Sequence, residues 1–346
     1  MKYSEIIGHA RQIAVLRRAV ATDRVHHAYL LAGPEGVGKR LVARAFAMAA
    51  MCQRPADGEG CGECGSCRRF ASGNHPDFVA VAPAEDAEGD GPRTAAARKR
   101  RTIKVDDVHA VRALTRFAPY EGRRRVILMD DAEDLNEPAA GALLKILEEP
   151  PAGTVFLLVT GKPMALLPTI HSRCQTLPFG PLSDAEVTAV VGRTLALDEA
   201  TARWVAGLAG GSPGRVLAMD LEELAEARKR LFAAVANLEG RGTLAALAFA
   251  EEVLSLPLEL PEACALLYSF YRDAAVARAT GGAGRMLHAD LAGEIAALAA
   301  RAPLDRLWAY MAAVGRVVAG QRNNQNRQFA VEGLALELSD PTLLPG

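Results

Sequence analysis

The stretch Gly33-Pro34-Glu35-Gly36-Val37-Gly38-Lys39-Arg40 decides the fold class of this chain. It follows an apolar run, Ala28 to Ala32, and precedes a helical run, Leu41 to Met51. A strand, a glycine-rich turn and a helix in this order form the context of a phosphate-binding P-loop. Backbone N–H groups of the turn, the helix N-terminus and the charge of Lys39 together attract an anion. The predicted phosphate-binding residues of the turn are Gly33, Pro34, Gly36, Gly38, Lys39 and Arg40.

The last position of the turn departs from the pattern of an ATP-hydrolysing P-loop. That pattern ends in Ser or Thr, whose hydroxyl holds Mg²⁺, whereas this chain has Arg40. A guanidinium has only N–H donors and cannot ligate a cation. We therefore expect the loop to hold the phosphates of ATP or ADP but to be poorly equipped to bind Mg²⁺ and to hydrolyse ATP. The alternative, a tight turn without a ligand, does not account for the full spacing of the motif.

Two further polar groups follow apolar runs that predict strands. Arg125 to Met129 leads into Asp130 and Asp131, and Val155 to Val159 leads into Thr160. In P-loop proteins, an acid in the position of Asp130 orients Mg²⁺ beside the phosphates. The next position would hold the Glu that activates water, and Asp131 is one methylene shorter. We expect these residues at the nucleotide site, with catalysis by Asp131 disfavoured; the alternative for the acidic pair is helix capping.

Four cysteines predict a metal site directly after the P-loop helix. Cys52, Cys61, Cys64 and Cys67 suit tetrahedral Zn²⁺, and the set leaves no open position, which favours a structural rather than a catalytic zinc. A redox pair of Cys61 and Cys64 is a weaker alternative because it leaves the other two thiols unexplained. The glycines expected to form the tight turns of this module (52–67) are Gly58, Gly60, Gly62 and Gly65.

Composition limits the class of protein. The chain has 346 residues, half of them hydrophobic, and a formal net charge of −1, so no global basic field draws it to nucleic acid or anionic lipid. We expect a cytoplasmic protein without a membrane span or signal peptide.

Residues 83–101 combine acidic and basic runs without large apolar residues, which predicts a mobile surface loop. Apolar strands alternate with helices up to about residue 180, which predicts an α/β fold with a parallel sheet and helices on both faces; helices follow to the end.

Motifs along nearly the whole chain resemble the bacterial DNA polymerase III delta-prime family, clamp-loader subunits of the AAA+ superfamily. The motifs that carry the resemblance, besides the P-loop, the four cysteines and Asp130-Asp131, are His26-His27-Ala28-Tyr29-Leu30, Gly73-Asn74-His75-Pro76-Asp77, Leu143-Leu144-Lys145, Glu148-Glu149-Pro150-Pro151, Thr169-Ile170-His171-Ser172-Arg173-Cys174, Asn323-Asn324-Gln325-Asn326 and Phe329-Ala330-Val331-Glu332. The resemblance implies a nucleotide-binding domain at 1–180, a helical lid at 181–222 and an all-α collar at 223–346.

The resemblance also implies roles and partners. Arg173 would be an arginine finger that stabilises the charge of a neighbouring subunit's ATP, since its guanidinium is permanently charged and bidentate. Arg215 matches a nucleotide-sensing position in the lid. The partners would be gamma/tau and delta subunits in a hetero-pentameric ring, the sliding clamp, and primed DNA contacted through the complex.

Three functions remain as hypotheses. The first is a clamp-loader subunit that supplies Arg173 in trans and rigidity to the ring, with weak or absent ATPase activity of its own; such a chain is part of the polymerase holoenzyme without being the nucleotidyltransferase itself. The second is a self-sufficient AAA+ ATPase, which Arg40 and Asp131 disfavour. The third is a zinc-dependent nucleic-acid-binding module, ranked last because the cysteine segment lacks interleaved aromatic and basic residues beyond Arg68, Arg69 and Phe70.

Overall fold

The computed structural model describes residues 2–85, 101–236, 238, 242–282, 284, 286–320 and 326–340. Two compact units make up the chain: Met1–Glu186 with Gly211–Gly214, and Val187–Gly210 with Arg215–Gly346. Within the described ranges, no helix has the length and apolar character needed to cross a lipid bilayer. Most of the charged loop expected at 83–101, namely 86–100, lies outside the described residues, as do Asn323 to Gln325.

The strands predicted from the apolar runs are present in the first unit. The described residues form β1 (Ala28–Ala32), β2 (Phe78–Val81), β3 (Ala84–Glu85), β4 (Arg101–Thr102), β5 (Arg125–Met129), β6 (Thr154–Thr160) and β7 (Gln175–Pro178). Five of them build one parallel sheet in the order β2-β5-β6-β1-β7, while β3 and β4 pair separately and antiparallel. The strand that follows the P-loop in sequence, β2, is therefore not the neighbour of β1 in the sheet, because β5 and β6 lie between them.

Helices alternate with strands in the first unit, as predicted. After β7, the described residues form helices and no further strand. They are α1 (Ala10–Ala21), α2 (Lys39–Met51), α3 (Gly65–Ala71), α4 (Val105–Leu114), α5 (Glu137–Glu148), α6 (Pro168–His171), α7 (Asp184–Leu195), α8 (Glu199–Leu208), α9 (Pro213–Leu217), α10 (Leu221–Ala236), α11 (Gly242–Ser255), α12 (Leu260–Thr280), α13 (Ala292–Arg301), α14 (Leu304–Gly320) and α15 (Arg327–Ser339).

Side chains of the sheet alternate between two apolar cores, as expected for a parallel sheet with helices on both faces. Along β1, Tyr29 and Leu31 join one core with helices α1 and α2, whereas Leu30 joins the other with α4 and α5. All five residues of β1 are buried. The prediction of an α/β sheet with helices on both faces is confirmed, and this rigid sheet fixes the loops at its two edges.

A buried ion pair holds the segment before β5. Asp77 is fully buried, and its carboxylate accepts hydrogen bonds from the backbone amides of 120–122 and from Arg125 Nη2 at 3.2 Å. Arg125 also donates through Nη1 to the carbonyls of Leu114 and Phe117. The family motif that ends in Asp77 thus has a structural role here, because its carboxylate fixes a loop through backbone groups.

The second unit has a buried polar network of its own. His288 is fully buried, accepts a hydrogen bond from Arg228 Nη1 (3.2 Å) at Nδ1 and donates to Ser269 Oγ (2.8 Å) from Nε2. Arg228 is in turn paired with the carboxylate of Asp290, and Asp273 accepts from the backbone amide of His288. Burial lowers the pKa of His288 to about 3, and the charge of Arg228 acts in the same direction. The imidazole is therefore neutral at physiological pH.

Candidate functional site

The glycine-rich turn has the backbone geometry of a P-loop. Gly36 and Gly38 have φ values of 75° and 105°, in the left-handed region that favours glycine, and Gly38 is the N-cap residue of α2. A Cβ atom at Gly33 would lie 2.2 Å from the carbonyl oxygen of Phe179, so only glycine fits there. The sequence prediction of a strand, a turn and a helix matches β1, this turn and α2.

Lys39 is folded against the loop that it follows. It is 5% exposed, and its Nζ donates to the carbonyl oxygens of Gly33 and Pro34, both at 2.7 Å. Burial lowers the pKa of Lys39, while nearby carboxylates, of which Glu133 has the largest effect, act in the opposite direction. The ammonium thus stands among neutral carbonyls and acids, and a phosphate would offer it a stronger, charge-assisted acceptor.

Arg40 pairs with the acid that follows β5. Its Nη1 lies 3.0 Å from Oδ2 of Asp130. Burial raises the pKa of Asp130, whereas the charge of Arg40 lowers it. The carboxylate that would orient Mg²⁺ is therefore engaged by a guanidinium, and no hydroxyl is present at position 40 to complete the metal's coordination. The residues at this site do not fit Mg²⁺, although the loop fits phosphate.

The remaining predicted residues of this edge have different environments. Thr160 is fully buried; its carbonyl accepts from Gly33 N at 3.2 Å, and its hydroxyl accepts from the backbone amide of Lys162. Asp131 has a left-handed backbone (φ 50°) and is the N-cap residue of a short 3₁₀ turn. The structure therefore brings the turn, Asp130, Asp131 and Thr160 to the carboxyl edge of the sheet.

Sequence reasoning missed two residues beside the loop. Glu133 accepts a hydrogen bond from the amide of Gly161 at 3.0 Å, directly after β6. His9 donates from Nε2 to the carbonyl of Val37 at 2.7 Å and packs edge-on against Phe179. The only hint in the sequence was Gly8 before His9, which indicates a turn but no partner. Both contacts join segments that are distant in sequence, so periodicity could not reveal them.

The four predicted cysteine ligands converge. Their sulfur atoms all lie within 4.8 Å of one another, with Cys52–Cys61 at 3.6 Å and Cys52–Cys64 at 3.9 Å. A tetrahedron with Zn–S distances of about 2.3 Å has S···S edges of about 3.8 Å. The cluster therefore fits a tetrahedral zinc ion, which when bound would be coordinated by all four thiolates.

The surroundings of the cluster also suit thiolates. Backbone amides of Cys61 and Arg54 donate to Cys52 Sγ, and the amide of Cys67 donates to Cys64 Sγ. Backbone hydrogen bonds lower the pKa of Cys61 to about 6, and the amide of Glu63 has the largest effect. Burial raises the pKa of both Cys52 and Cys67, a cost that a bound cation would offset. One detail of the sequence prediction was wrong: Gly65 forms no tight turn but begins α3, which Cys64 caps.

Arg173 lies at the opposite edge of the sheet from the P-loop. It precedes β7, whose first residue, Gln175, pairs with Tyr29 near the start of β1. The P-loop leaves the other end of β1. Five residues of a parallel strand span about 16 Å at about 3.3 Å per residue. The guanidinium and the phosphate-binding loop of this chain are thus separated by the length of the sheet.

The Arg173 guanidinium is held at the wall of an open pocket. Its Nη1 donates to Thr169 O (3.0 Å) and Ser172 Oγ (3.2 Å), and its Nη2 to Glu148 Oε1 (2.7 Å). The pocket has a volume of about 680 Å³ and is lined by three segments of the chain: His26, His27, Leu147, Glu148, Ser172, Arg173, Cys174 and Gln175. Three of the five N–H donors are engaged by these bonds, which leaves donors for an incoming anion.

Arg215, the remaining predicted site residue, lies exposed in α9 and belongs to the second unit. Its assigned role at the nucleotide stays a prediction.

The fold and the loop define the class of protein. A parallel sheet with a P-loop after β1, an acid pair after β5 and an intervening strand β6 is a P-loop domain of the AAA+ type.

Comparison with known proteins narrows the class to a family. The family model described as "DNA polymerase III, delta subunit" matches residues 8–183. A DNA polymerase III subunit delta′ of Pseudomonas aeruginosa is 39% identical over 238 residues, covering 68% of this chain and 67% of the relative. The subunit delta′ of Escherichia coli is 30% identical over 321 residues, covering 93% and 88%. This chain belongs to the delta-prime family of the DNA polymerase III clamp loader.

A second group of relatives matches a shorter region. The DNA polymerase III subunit gamma/tau of Mycobacterium tuberculosis is 33% identical over 222 residues, which cover 63% of this chain but only 36% of the relative. The likeness is therefore to one part of that longer protein.

Proposed function

We propose that this chain is a delta-prime subunit of a clamp loader that supplies Arg173 to the ATP of a neighbouring subunit. The observation that carries the proposal is the separation of Arg173 from its own P-loop by the length of the sheet. A guanidinium at that edge cannot serve the nucleotide of its own chain, whereas a subunit packed against this edge would bring its phosphates to it. In other P-loop systems, an arginine supplied in trans raises the rate of hydrolysis by about 10³ to 10⁵.

The second part of the proposal concerns the chain's own P-loop. The loop accommodates ATP or ADP through Lys39 and the backbone amides. It does not hydrolyse ATP, because Arg40 is paired with the carboxylate of Asp130, which would otherwise hold Mg²⁺. In this proposal the chain therefore contributes to hydrolysis at a neighbour's site rather than at its own.

Family membership supports the proposed partners and domain roles, and the geometry of the cysteines supports the proposed zinc site. The partners are gamma/tau and delta subunits in a hetero-pentameric cytoplasmic ring, the sliding clamp, and primed DNA contacted through the complex. Residues 181–222 serve as the lid and 223–346 as the collar. Zinc is held by Cys52, Cys61, Cys64 and Cys67 and stabilises the segment between α2 and β2. The metal has a structural role and takes no part in ATP hydrolysis.

The alternative, a self-sufficient AAA+ ATPase, is separated from this proposal by two measurements on the purified chain. The first is phosphate release by the chain alone, for which we expect no turnover above the background of a Lys39→Ala variant. The second is co-elution with gamma/tau and delta subunits in size-exclusion chromatography, for which we expect one complex. A chain that hydrolyses ATP alone at about 1 s⁻¹ or faster would contradict the proposal, as would failure to assemble.

A further inference from the structure

The P-loop of this chain carries a built-in cation at the position of the usual metal ligand. Arg40 is the second residue of α2 and follows Lys39 directly. Where Ser or Thr would hold Mg²⁺ between the phosphates and the acid after β5, Arg40 Nη1 lies 3.0 Å from Asp130 Oδ2. The guanidinium therefore meets the same carboxylate that the metal would meet.

Acidic side chains surround the Lys39 ammonium beside the loop. Carboxylates of Glu133, Glu35, Asp130 and Asp131 all act on the Lys39 ammonium. A diphosphate entering this cluster would meet like charges, which in a metal-dependent P-loop Mg²⁺ offsets. Arg40 contacts one of these acids, Asp130, directly. Asp130 is mostly buried, with 15% of its side chain exposed, so the pair is screened less than a surface pair.

Arg40 keeps donors for a phosphate while it holds Asp130. Its side chain is 58% exposed, and one of its five N–H donors bonds Asp130 in the described structure. Lys39 Nζ, held by two neutral carbonyls, is the second donor that a phosphate would recruit. A guanidinium binds phosphate bidentately and stays charged at every physiological pH, so it needs no ion from solution.

We infer that Arg40 replaces Mg²⁺ at this P-loop, so that the chain binds a nucleoside di- or triphosphate without a divalent metal. The inference rests on the proposed phosphate-binding role of the loop. The inference goes beyond that role because it concerns the metal. A P-loop with a weakened Mg²⁺ site would still bind nucleotide more tightly with Mg²⁺, whereas this loop would not. The bound nucleotide is then not hydrolysed at this loop, because the hydrolytic metal has no place beside it.

The test is a titration of a fluorescent ADP derivative into the full-length chain, once with excess EDTA and once with excess Mg²⁺. The expected dissociation constants agree within about twofold, a difference below half a kcal/mol. Arg40→Ala should weaken binding in EDTA by about tenfold or more, because a charge-assisted phosphate contact is lost. Arg40→Thr should bind at least about tenfold more tightly with Mg²⁺ than with EDTA, because it restores the hydroxyl ligand.

Matched variants keep the result interpretable. Lys39→Ala should abolish binding in both buffers, which assigns the probe to this loop, and Arg40→Lys should retain part of the EDTA affinity through its charge. Thermal melts of each variant report whether the fold is kept. Binding by the unmodified chain that depends on Mg²⁺, or no saturable binding in either buffer, would overturn the inference. Neither result touches the role of Arg173, which is tested separately.

Discussion

Arg173 Nη2 lies 2.7 Å from Oε1 of Glu148, the last residue of α5. Both side chains are partly exposed, with 32% and 50% of their surface accessible. Exposed ion pairs of this kind contribute about 0–1 kcal/mol. The pair therefore orients the guanidinium without binding it tightly, and a triphosphate with several negative charges would displace the carboxylate readily.

Removing this carboxylate should weaken the action of Arg173 only moderately. In Glu148→Ala the guanidinium keeps its bonds to Thr169 and Ser172 but loses one restraint. We expect single-turnover ATP hydrolysis by the reconstituted ring to fall measurably, but by no more than about fivefold, the equivalent of about 1 kcal/mol. The rate should fall less in Glu148→Gln, because this variant keeps an oxygen acceptor for the guanidinium.

The control is Glu149→Ala, which changes the neighbouring exposed residue. If Glu148→Ala and Glu149→Ala behave alike, the carboxylate of Glu148 does not position Arg173. If Glu148→Ala has an effect in an Arg173→Ala background, its effect does not act through the guanidinium.

Zinc content should follow the four clustered cysteines and no others. Purified chain should carry about one zinc per molecule, because the sulfur positions fit one tetrahedral ion. Cys64→Ser should lower this content strongly, whereas Cys264→Ala, at a buried thiol in α12, should leave it unchanged. Elemental analysis measures both. A metal-free chain prepared without chelators would contradict the site.

The buried pair of Asp77 and Arg125 should matter more for stability than an exposed pair. Asp77→Ala leaves Arg125 buried without its carboxylate and removes the acceptor of three backbone amides. We expect the free energy of unfolding to drop by about 3–5 kcal/mol. Asp23→Ala, which removes the exposed partner of Arg124, should cost no more than about 1 kcal/mol. Urea denaturation of both variants makes the comparison, and equal costs would contradict it.

Acidification should destabilise the second unit through His288. Its folded pKa, about 3, lies below the unfolded value of about 6.5, so between these values the unfolded chain binds a proton that the folded chain does not. Stability should therefore decrease as the pH falls from about 7.5 to 5. In His288→Asn this contribution should be absent. Calorimetry at both pH values measures the slopes, and equal slopes in the two proteins would contradict the assignment.

The sequence was most informative where one local pattern was sufficient. The strand before the P-loop was predicted at its observed bounds, because five successive apolar residues followed by Gly33 leave no other reading. The cysteine spacing predicted a cluster that the folded chain forms. Helix α3 was missed because the segment is rich in glycine, and its start depends on a cap supplied by Cys64.

Contacts between distant segments were beyond such patterns. Nothing near Arg40 in the sequence indicates that Asp130, which follows β5, would pair with it; the sheet order brings them together. The same holds for Glu148 beside Arg173 and for His9 beside Val37. Residue types predicted which groups belong to the site, and only the fold showed which of them neutralise one another.

The most direct test of the account is the phosphate burst of a reconstituted clamp loader that contains Arg173→Ala in this chain, with Arg116→Ala as an exposed arginine control. If Arg173 acts on a neighbour's ATP, assembly and zinc content stay unchanged, and the burst loses the amplitude of one ATP per ring because hydrolysis at that site slows by about 10³ or more. A burst of the same amplitude as that of the unmodified ring would contradict the central claim.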